Sequence, residues 1–506
     1  MPTRCLPREP SLEQLRTLAK TLQRLARSGE TGAVELVREF HPRLADAVAG
    51  SPELVGLSRA DMQLALARSY GFASWPKLRD HVATVNRLTR NPHRQPVGNP
   101  VEGQAELVDE FLRLACLTYG ADDPSRPARA RALLAEHPEL AAATIHTAAA
   151  VGHVAGARDL LAADPSLAAH EGGPYEWEPL LYLAYSRIDS TDPAHSTLEV
   201  ARLLLEAGAD PNAGYLWESE YPFTALTGAF GEGENGVNTP PHQQALTLAR
   251  LLLEAGADPN DSQTLYNRQW SPDDDHLELL VEFGLGRGTA TVWQTRLGAA
   301  HPTPQELVEE ELRSAAEKGR IGRVRLLVDV VDDVDRIGTD HPLLEGRTAH
   351  QLAVLYGHTE IARLLETAGA VPQTLTAVED LRAACMRADR PAAERLVAGD
   401  ATLPGQLIAA CPDLVGKAAE LDRIDAIRLL VSIGFDLNPT DRRTPLHEAA
   451  FHGNLDLVRA LVGLGADPNV RDPHFDSTPA GWAEHNQRHG VARYLAGLER
   501  QPSNHG

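Results

Sequence analysis

Cysteine and lysine are both scarce in this chain of 506 residues. The four cysteines, Cys5, Cys116, Cys385 and Cys411, are spaced too widely for a zinc knuckle or a disulfide framework. We therefore predict a reducing compartment and place the protein in the cytoplasm. Lysine occupies only four positions, so nearly all basic residues are arginine. That bias, together with abundant alanine, is typical of proteins from GC-rich bacteria.

Long apolar runs and an excess of positive charge are missing as well. No run of 18 apolar residues occurs, and the N-terminus lacks the hydrophobic segment of a secretory signal. The 48 basic residues are outnumbered by 70 acidic ones, which gives a formal charge of −22. Such a surface repels phosphate backbones and anionic membranes. We expect neither a nucleic-acid nor a membrane partner, and a cationic or neutral partner fits better.

What the chain does contain is internal repetition. The segment 444–469 opens with Thr444, a helix-capping hydroxyl, and Pro445, which suits the first helical turn. Two consecutive alanines keep its first helix thin, and its leucines supply apolar faces that an isolated helix pair could not bury. Gly465 stands where a helix end favours the left-handed region. The next copy begins 34 residues after the first, at Thr478.

This segment resembles an ankyrin repeat, and weaker copies run through most of the chain. The pattern of its second helix and the following turn recurs at 201–212 and 249–260, which are identical to each other. Those copies start 48 residues apart, which predicts an insertion, and glycines and prolines within Gly214–Gln243 indicate a long exposed loop. Looser copies extend the resemblance over roughly residues 105–498.

The resemblance implies an all-α fold, an ankyrin-repeat solenoid of about ten or eleven helix-turn-helix units with an N-terminal helical capping domain. The predicted parts are a helical leader at 1–90, a linker at 91–104, irregular units with long insertions at 105–300, further units at 301–499 that are most regular at 441–498, and a tail at 500–506. The leader resembles the small helical segment at the front of many bacterial ankyrin proteins. We expect it to cap the open end of the stack, and a separate binding domain is the alternative.

Aromatic residues make up only 5% of the chain, but they are concentrated. Thirteen of the 25 lie between Glu171 and Trp293, many of them where a repeat turns into the next. The resemblance implies that these turns project as fingers over the face that binds partners, and aromatic residues and arginine dominate binding hot spots. We predict partner contacts at Tyr175, Trp177, Tyr215, Trp217, Glu218, Tyr221, Tyr266, Arg268 and Trp270. The alternative is that the rings fill gaps left by irregular repeats.

Motifs for metal binding or catalysis are weak. His447 and His452 lie five residues apart, whereas two zinc-ligating histidines on one helical face need a spacing of four. Gly231–Gly236 satisfies G-x-G-x-x-G, but the strand and helix that a dinucleotide site requires around it are not predicted. We therefore predict no metal, no cofactor and no catalytic residue.

Together these features predict a non-enzymatic scaffold for protein–protein interaction, whose partner of unknown identity binds the concave face and finger loops. The alternative is a small-molecule-binding protein or an enzyme, with a pocket formed by the aromatic inserted loops of 171–293. The two hypotheses differ in whether Trp217, Tyr221, Tyr266 and Trp270 line an open groove or a closed cavity.

Overall fold

The chain divides into two compact units. The computed structural model describes residues 6–98, 103–120, 122–189, 192–234, 236–298, 301–337 and 346–499. The first unit consists of Met1–Gly231, Asn238–Arg268 and Gly288–Thr303, and the second of Glu232–Val237, Gln269–Arg287 and Pro304–Gly506. The predicted tail at 500–506 and residues 99–102 of the predicted linker lie outside the described residues.

The leader of the first unit is helical, as predicted from the sequence. Its helices are α1 (Leu12–Arg27), α2 (Thr31–Phe40), α3 (Pro52–Val55), α4 (Arg59–Ser69) and α5 (Trp75–Leu88). Ser58 caps α4 through reciprocal hydrogen bonds with Asp61, and Gly71 follows the end of that helix with a φ of 85°. Two apolar clusters, one around Leu66 and one around Leu78, lie among these helices. The leader therefore has a core of its own.

Helix pairs follow the leader in the first unit. They are α6 (Gln104–Ala115) and α7 (Ser125–Glu136), α8 (Ile145–Val151) and α9 (Val154–Ala163), α10 (Pro179–Tyr185) and α11 (Thr197–Glu206), and α12 (Ala225–Phe230) and α13 (Ala245–Glu254). The unit also holds α14 (Ser262–Arg268) and α16 (Val292–Leu297), whereas α15 (Asp275–Glu282) belongs to the second unit. Successive first helices pack together, α6 on α8, α8 on α10 and α10 on α12. This order is the stacking expected of a repeat array.

Three short strands interrupt the helices of the first unit. They are β1 (Thr89–Arg90), β2 (Gly214–Trp217) and β3 (Tyr221–Thr224). The strand β2 pairs in parallel with β1 and antiparallel with β3, and Glu218 and Ser219 turn the hairpin with positive φ angles of 53° and 64°. The prediction of a long exposed loop over Gly214–Gln243 is therefore wrong, because its first half forms this hairpin and the buried helix α12.

The second unit is also built from helix pairs. Besides α15 it contains α17 (Pro304–Glu317), α18 (Ile321–Leu327), α19 (Ala349–Leu355), α20 (Thr359–Thr367), α21 (Ala377–Met386), α22 (Arg390–Gly399), α23 (Leu403–Ala410), α24 (Leu414–Glu420), α25 (Ile424–Ser432), α26 (Pro445–His452), α27 (Leu455–Gly463), α28 (Pro479–His485) and α29 (His489–Glu499). First helices again pack on one another, α17 on α19, α24 on α26 and α26 on α28. One apolar core extends through these pairs from Leu352 to Leu495.

The pair α26–α27 has the local structure that its sequence predicts. Thr444 caps α26 by accepting the His447 N–H, Pro445 occupies the first turn, and Gly453 ends the helix with a φ of 81°. The buried His447 ring places Nδ1 2.8 Å from the Thr444 hydroxyl and Nε2 3.0 Å from the carbonyl of Ser477, in the next pair. This histidine therefore joins neighbouring helix pairs.

Candidate functional site

Three rings of the predicted contact set lie in the interior of the first unit. Tyr175, Trp177 and Tyr215 are 3%, 1% and 2% exposed. The ring centre of Trp177 lies 5.0 Å from those of Tyr185 and Tyr215, a spacing at which aromatic contacts stabilise a core. Tyr185 comes from α10, a helix whose seven residues are all buried. The structure gives these three rings the packing role that the alternative interpretation describes.

Hydrogen bonds fix the loop that carries Tyr175. The Tyr182 hydroxyl donates to the Gly172 carbonyl at 2.9 Å and accepts the Tyr175 N–H at 3.0 Å. Burial raises the pKa of Tyr182 well above its ordinary value, so the phenol stays neutral and keeps the proton that it donates. The loop is therefore held in place from inside the unit.

The other predicted contact residues are divided in their exposure and their location. Arg268 is buried at the end of α14, whereas Tyr221 and Tyr266 each retain 39% of their exposure. Trp270 belongs to the second unit, where the Lys318 ammonium lies 5.5 Å from its ring centre. The nine residues therefore do not form one cluster within either unit.

The leader packs on the finger hairpin formed by β2 and β3. The strand β1 joins the hairpin as a third strand and places Arg90 opposite Trp217. The following 3₁₀ turn brings the His93 ring centre to 4.6 Å from that of Trp217. We call residues 82–98, which include the end of α5, β1 and this turn, the leader arm. Because α5 packs on β2 and α16, this part of the leader covers the strand edge of the fingers, and the capping role of the leader stays a prediction.

Opposite charges line the contact between the leader arm and the fingers. Glu218, at the hairpin turn, lies 2.7 Å from Arg94 Nη2 and 2.8 Å from His93 Nε2. The hydrogen bond from Arg94, aided by His93, holds the pKa of Glu218 below its usual value. Arg90 donates to the Glu171 carboxylate at 3.0 Å. The arm therefore presents cations to finger carboxylates.

An apolar junction accompanies these charges. Val85 and Leu88 of α5 form one buried cluster with Leu216, Trp293 and Leu297. Burying an aliphatic side chain of this size is worth about 1.5–3 kcal/mol, whereas an ion pair with one member in contact with solvent contributes about 0–1 kcal/mol. The apolar junction therefore supplies most of the binding energy, and the charges set the orientation of the arm.

A buried carboxylate connects the finger hairpin with α14. Asp261 accepts hydrogen bonds from the Thr227 hydroxyl at 3.2 Å, from the Thr264 N–H at 2.8 Å and from the Thr224 hydroxyl. Burial raises the pKa of this carboxyl, and the hydrogen bonds act in the opposite direction. The network ties two successive helix pairs together at the base of the hairpin.

The cavity beside Asp261 does not favour the small-molecule hypothesis. Its volume of about 10 Å³ holds one water at most, far below the roughly 300–1,000 Å³ of a ligand pocket. Its walls are Pro211, Asn212, Thr224, Leu226, Ala257, Asp258, Asn260, Asp261 and Trp293. The four aromatic residues that would have lined a closed pocket are not among them.

Reactive groups are few in the part of the chain that the structure describes. Within that part, no group of three His, Cys, Asp or Glu side chains is placed to hold a metal ion. No helix there is long and apolar enough to cross a bilayer. Burial raises the pKa values of Cys116 and Cys385 to about 12, so both thiols stay protonated and are weak nucleophiles.

In the second unit, the finger between α27 and α28 is organised by one carboxylate. The buried Asp472 accepts the N–H groups of His474, Phe475 and Ser477 at 3.0, 2.8 and 3.2 Å, and the Trp482 indole N–H at 2.9 Å. Desolvation alone would raise the pKa of Asp472, but these bonds outweigh it and lower the pKa to about 2. They also hold Phe475 on the finger with 75% of its side chain exposed.

Phe475 belongs to a group that we call the C-terminal aromatic surface, formed by Arg443, Phe451, Phe475 and Trp482. The rings of Phe451 and Phe475 meet Trp482 edge-on, with centres 5.8 and 6.0 Å away. The guanidinium carbon of Arg443 lies 5.5 Å from the centre of the same ring. Aromatic rings and arginine at a partly exposed site are the residue types of a binding hot spot.

Sequence reasoning missed this surface because its aromatic residues are far apart in the chain. A signal was nevertheless present. Trp482 follows Thr478 by four residues, the place that Glu448 takes after Thr444 in the preceding copy. An indole in place of a carboxylate at a variable position of the first helix indicates a surface feature.

Two of the four lysines belong to first helices of the second unit or follow one directly: Lys417 lies in α24, and Lys318 follows the last residue of α17. Lys417 Nζ lies 3.3 Å from the Glu317 carboxylate and 3.0 Å from that of Glu420. Lys318 Nζ donates to the Gln269 side-chain oxygen at 2.5 Å, and burial lowers its pKa. Because the chain itself supplies partners for both ammonium groups, we interpret this strip as a connection between α17 and α24.

Comparison with known proteins places ankyrin repeats in the second unit. Residues 381–472 match the family model for ankyrin repeats, in three copies. A putative ankyrin repeat protein, L271, of Acanthamoeba polyphaga mimivirus is 38% identical over 58 residues, 11% of this chain and 8% of that protein. The serine/threonine-protein kinase VIK of Arabidopsis thaliana is 48% identical over 44 residues, 9% of this chain and 10% of that protein. The chain thus spans a tenth or less of the length of these curated relatives.

The chain therefore contains ankyrin repeats at 381–472, and such repeats are a protein–protein interaction module. The wider assignment, over 105–498, stays a prediction, and so does the bacterial origin.

Proposed function

We propose that this chain is a non-enzymatic scaffold that binds a partner protein through the C-terminal aromatic surface. The ankyrin repeats at 381–472 support a protein-binding role. The exposure of Phe475 carries the choice of surface. Because Asp472 already fixes the finger backbone, a partner that buries this ring has little further order to impose.

The proposal also covers the helix pairs outside residues 381–472 and the cellular compartment of the protein. The packing order of first helices supports an extension of the ankyrin pattern to the helix pairs of both units. The scarcity of cysteine supports a cytoplasmic location. In the first unit, we keep Trp217, Glu218 and Tyr221 of the hairpin as proposed partner contacts. We also keep Tyr266, a partly exposed ring of α14.

Quantitative affinity capture tests the C-terminal aromatic surface. We compare wild type with Phe475→Ala, and with the matched control Val48→Ala, which removes another exposed apolar side chain. Wild type and control should retain one specific protein, and Phe475→Ala should weaken its binding at least tenfold, about 1.4 kcal/mol. The retained protein, once purified, should bind wild type in calorimetry with the same ranking of variants. Equal binding by all three chains with unchanged melting contradicts the proposal.

A further inference from the structure

We propose that the acidic face of the finger hairpin is an exchangeable docking surface for an extended, arginine-bearing segment of a partner protein, and that the leader arm is its resident occupant. The partner step rests on the proposed protein-binding function. The exchange itself is a property of this chain and is tested without any partner.

The backbone of the hairpin accepts its occupant through few bonds. The strand β1 covers only two positions of β2, where Thr89 lies opposite Leu216 and Arg90 opposite Trp217. Pairing of this kind uses main-chain groups that every extended segment carries. Specificity must therefore come from the side chains beside the strand.

Those side chains are carboxylates on the fingers and arginines on the leader. Arg90 lies 3.5 Å from Glu176 in addition to its bond with Glu171. Arg8 lies 4.0 Å from Glu218 and 3.7 Å from Glu220. Four carboxylates thus face leader cations, and they are Glu171 and Glu176 in the loop before α10 and Glu218 and Glu220 in the hairpin turn. A surface of this sign favours a cationic segment and repels an acidic one.

The leader can leave this surface without losing its own core. The clusters around Leu66 and Leu78 contain leader residues only. Among the apolar contacts with the fingers, Val85 and Leu88 alone join a cluster that includes finger residues. Arg94 and Glu171 are about half exposed, whereas their partners Glu218 and Arg90 are mostly buried, so solvent reaches one side of each ion pair. A competing segment therefore has to replace one helix end, one short strand and a few ion pairs.

A peptide of residues 82–98 provides the probe, because it carries the side chains of the leader arm. We titrate the fluorescein-labelled peptide into full-length wild type, into Arg90→Glu/Arg94→Glu, and into that variant with Glu218→Lys/Glu220→Lys added. The weakened arm of the double variant should free the surface, so the peptide should bind at least tenfold tighter than to wild type. The fourfold variant should lose that gain. A scrambled peptide of the same composition should bind the double variant at least tenfold more weakly than the native sequence.

Circular dichroism and thermal melting establish that each variant is folded, and Arg94→Ala serves in place of the double variant if that chain does not fold. The proposal is overturned if the peptide binds wild type and the double variant with equal affinity. It is also overturned if the native and scrambled peptides bind the double variant equally well. Either result leaves the Phe475→Ala measurement untouched, since that substitution lies in the second unit. The failure of the docking surface and the failure of the proposed function are therefore distinguishable.

Discussion

The fingers of the two units differ in what covers them. In the first unit, an aromatic-rich hairpin lies beneath the chain's own leader, and the rings behind it form a core. In the second unit, a finger with a single phenylalanine leaves that ring exposed. A high local density of aromatic residues therefore indicates packing at least as well as recognition. What decides is whether another part of the chain is available to cover the rings.

Backbone hydrogen bonding explains the difference. The strand β3 pairs with one edge of β2 and leaves the opposite edge to be covered, and β1 occupies that opposite edge. The finger of the second unit needs no such strand, because Asp472 satisfies three of its N–H groups from within. A finger of the first kind recruits a covering segment, whereas a finger of the second kind stays open.

The largest expected effect separates the buried rings from the exposed one. Trp177→Ala removes a fully buried indole and should lower the free energy of unfolding by about 3–5 kcal/mol. Phe475→Ala removes an exposed ring and should change it by less than about 0.5 kcal/mol. Urea denaturation followed by circular dichroism measures both. A Trp177→Ala chain as stable as Phe475→Ala would show that the aromatic cluster of the first unit is not a core.

Local signals in the sequence predicted the repeating elements well. Thr444, Pro445 and Gly465 act on their neighbours in the chain, so their capping and helix-ending roles can be inferred from spacing. The same holds for Ser58, whose reciprocal hydrogen bonds with Asp61 begin α4. Long-range pairing was not accessible in this way. Nothing near Arg90 in sequence indicates that it lies opposite Trp217, more than a hundred residues later.

The exposure of the candidate contacts failed to follow from sequence for the same reason. Tyr215 and Tyr221 stand in one aromatic run, yet Tyr215 lies inside β2 and is buried, whereas Tyr221 begins β3 beside the hairpin turn and stays partly exposed. The hairpin itself was missed because the glycines and prolines that follow it dominated the interpretation of the whole insertion. The open finger was missed because its carboxylate anchor, Asp472, has no distinctive sequence pattern.

A smaller effect is expected for the anchor of the open finger. Asp472→Asn keeps one acceptor but directs an NH₂ group at backbone donors, which should cost about 1–3 kcal/mol at pH 7. In wild type the pKa falls from an ordinary 3.8 to about 2 on folding. The charged carboxylate therefore stabilises the fold fully above about pH 4, and this contribution is lost as pH falls towards about 2.

Denaturation curves at pH 7 and pH 3 measure this contribution. The stability gap between wild type and Asp472→Asn should narrow at the lower pH, and the Phe475 amide should exchange faster in the variant at pH 7. A gap that is independent of pH would mean that the charge of Asp472 does not hold the finger. The hairpin of the first unit, whose edge is closed by β1, should not change its exchange in this variant.

The smallest effect concerns the turn between the two helices of a pair. Ala388 adopts a φ of 56° one residue before the cap of α22, and Gly152 adopts 76° at the corresponding place before α9. Left-handed backbone costs an L-residue about 1–2 kcal/mol, and a change to glycine removes that cost. Glycine also makes the unfolded chain more flexible, which offsets about 0.5–1 kcal/mol of the stabilisation. Ala388→Gly should therefore stabilise the second unit by about 0.5–1 kcal/mol.

The reverse change in the first unit should act more strongly. A Cβ on Gly152 would lie 3.0 Å from the backbone nitrogen of Thr197, which cannot move aside as a flexible side chain can. Gly152→Ala should therefore lose at least the roughly 1–2 kcal/mol of the left-handed penalty. Urea denaturation measures whether Ala388→Gly raises the free energy of unfolding and Gly152→Ala lowers it. Destabilisation by Ala388→Gly would show that the methyl group of Ala388 makes a contact worth more than its strain, and that the turns of the two units obey different constraints.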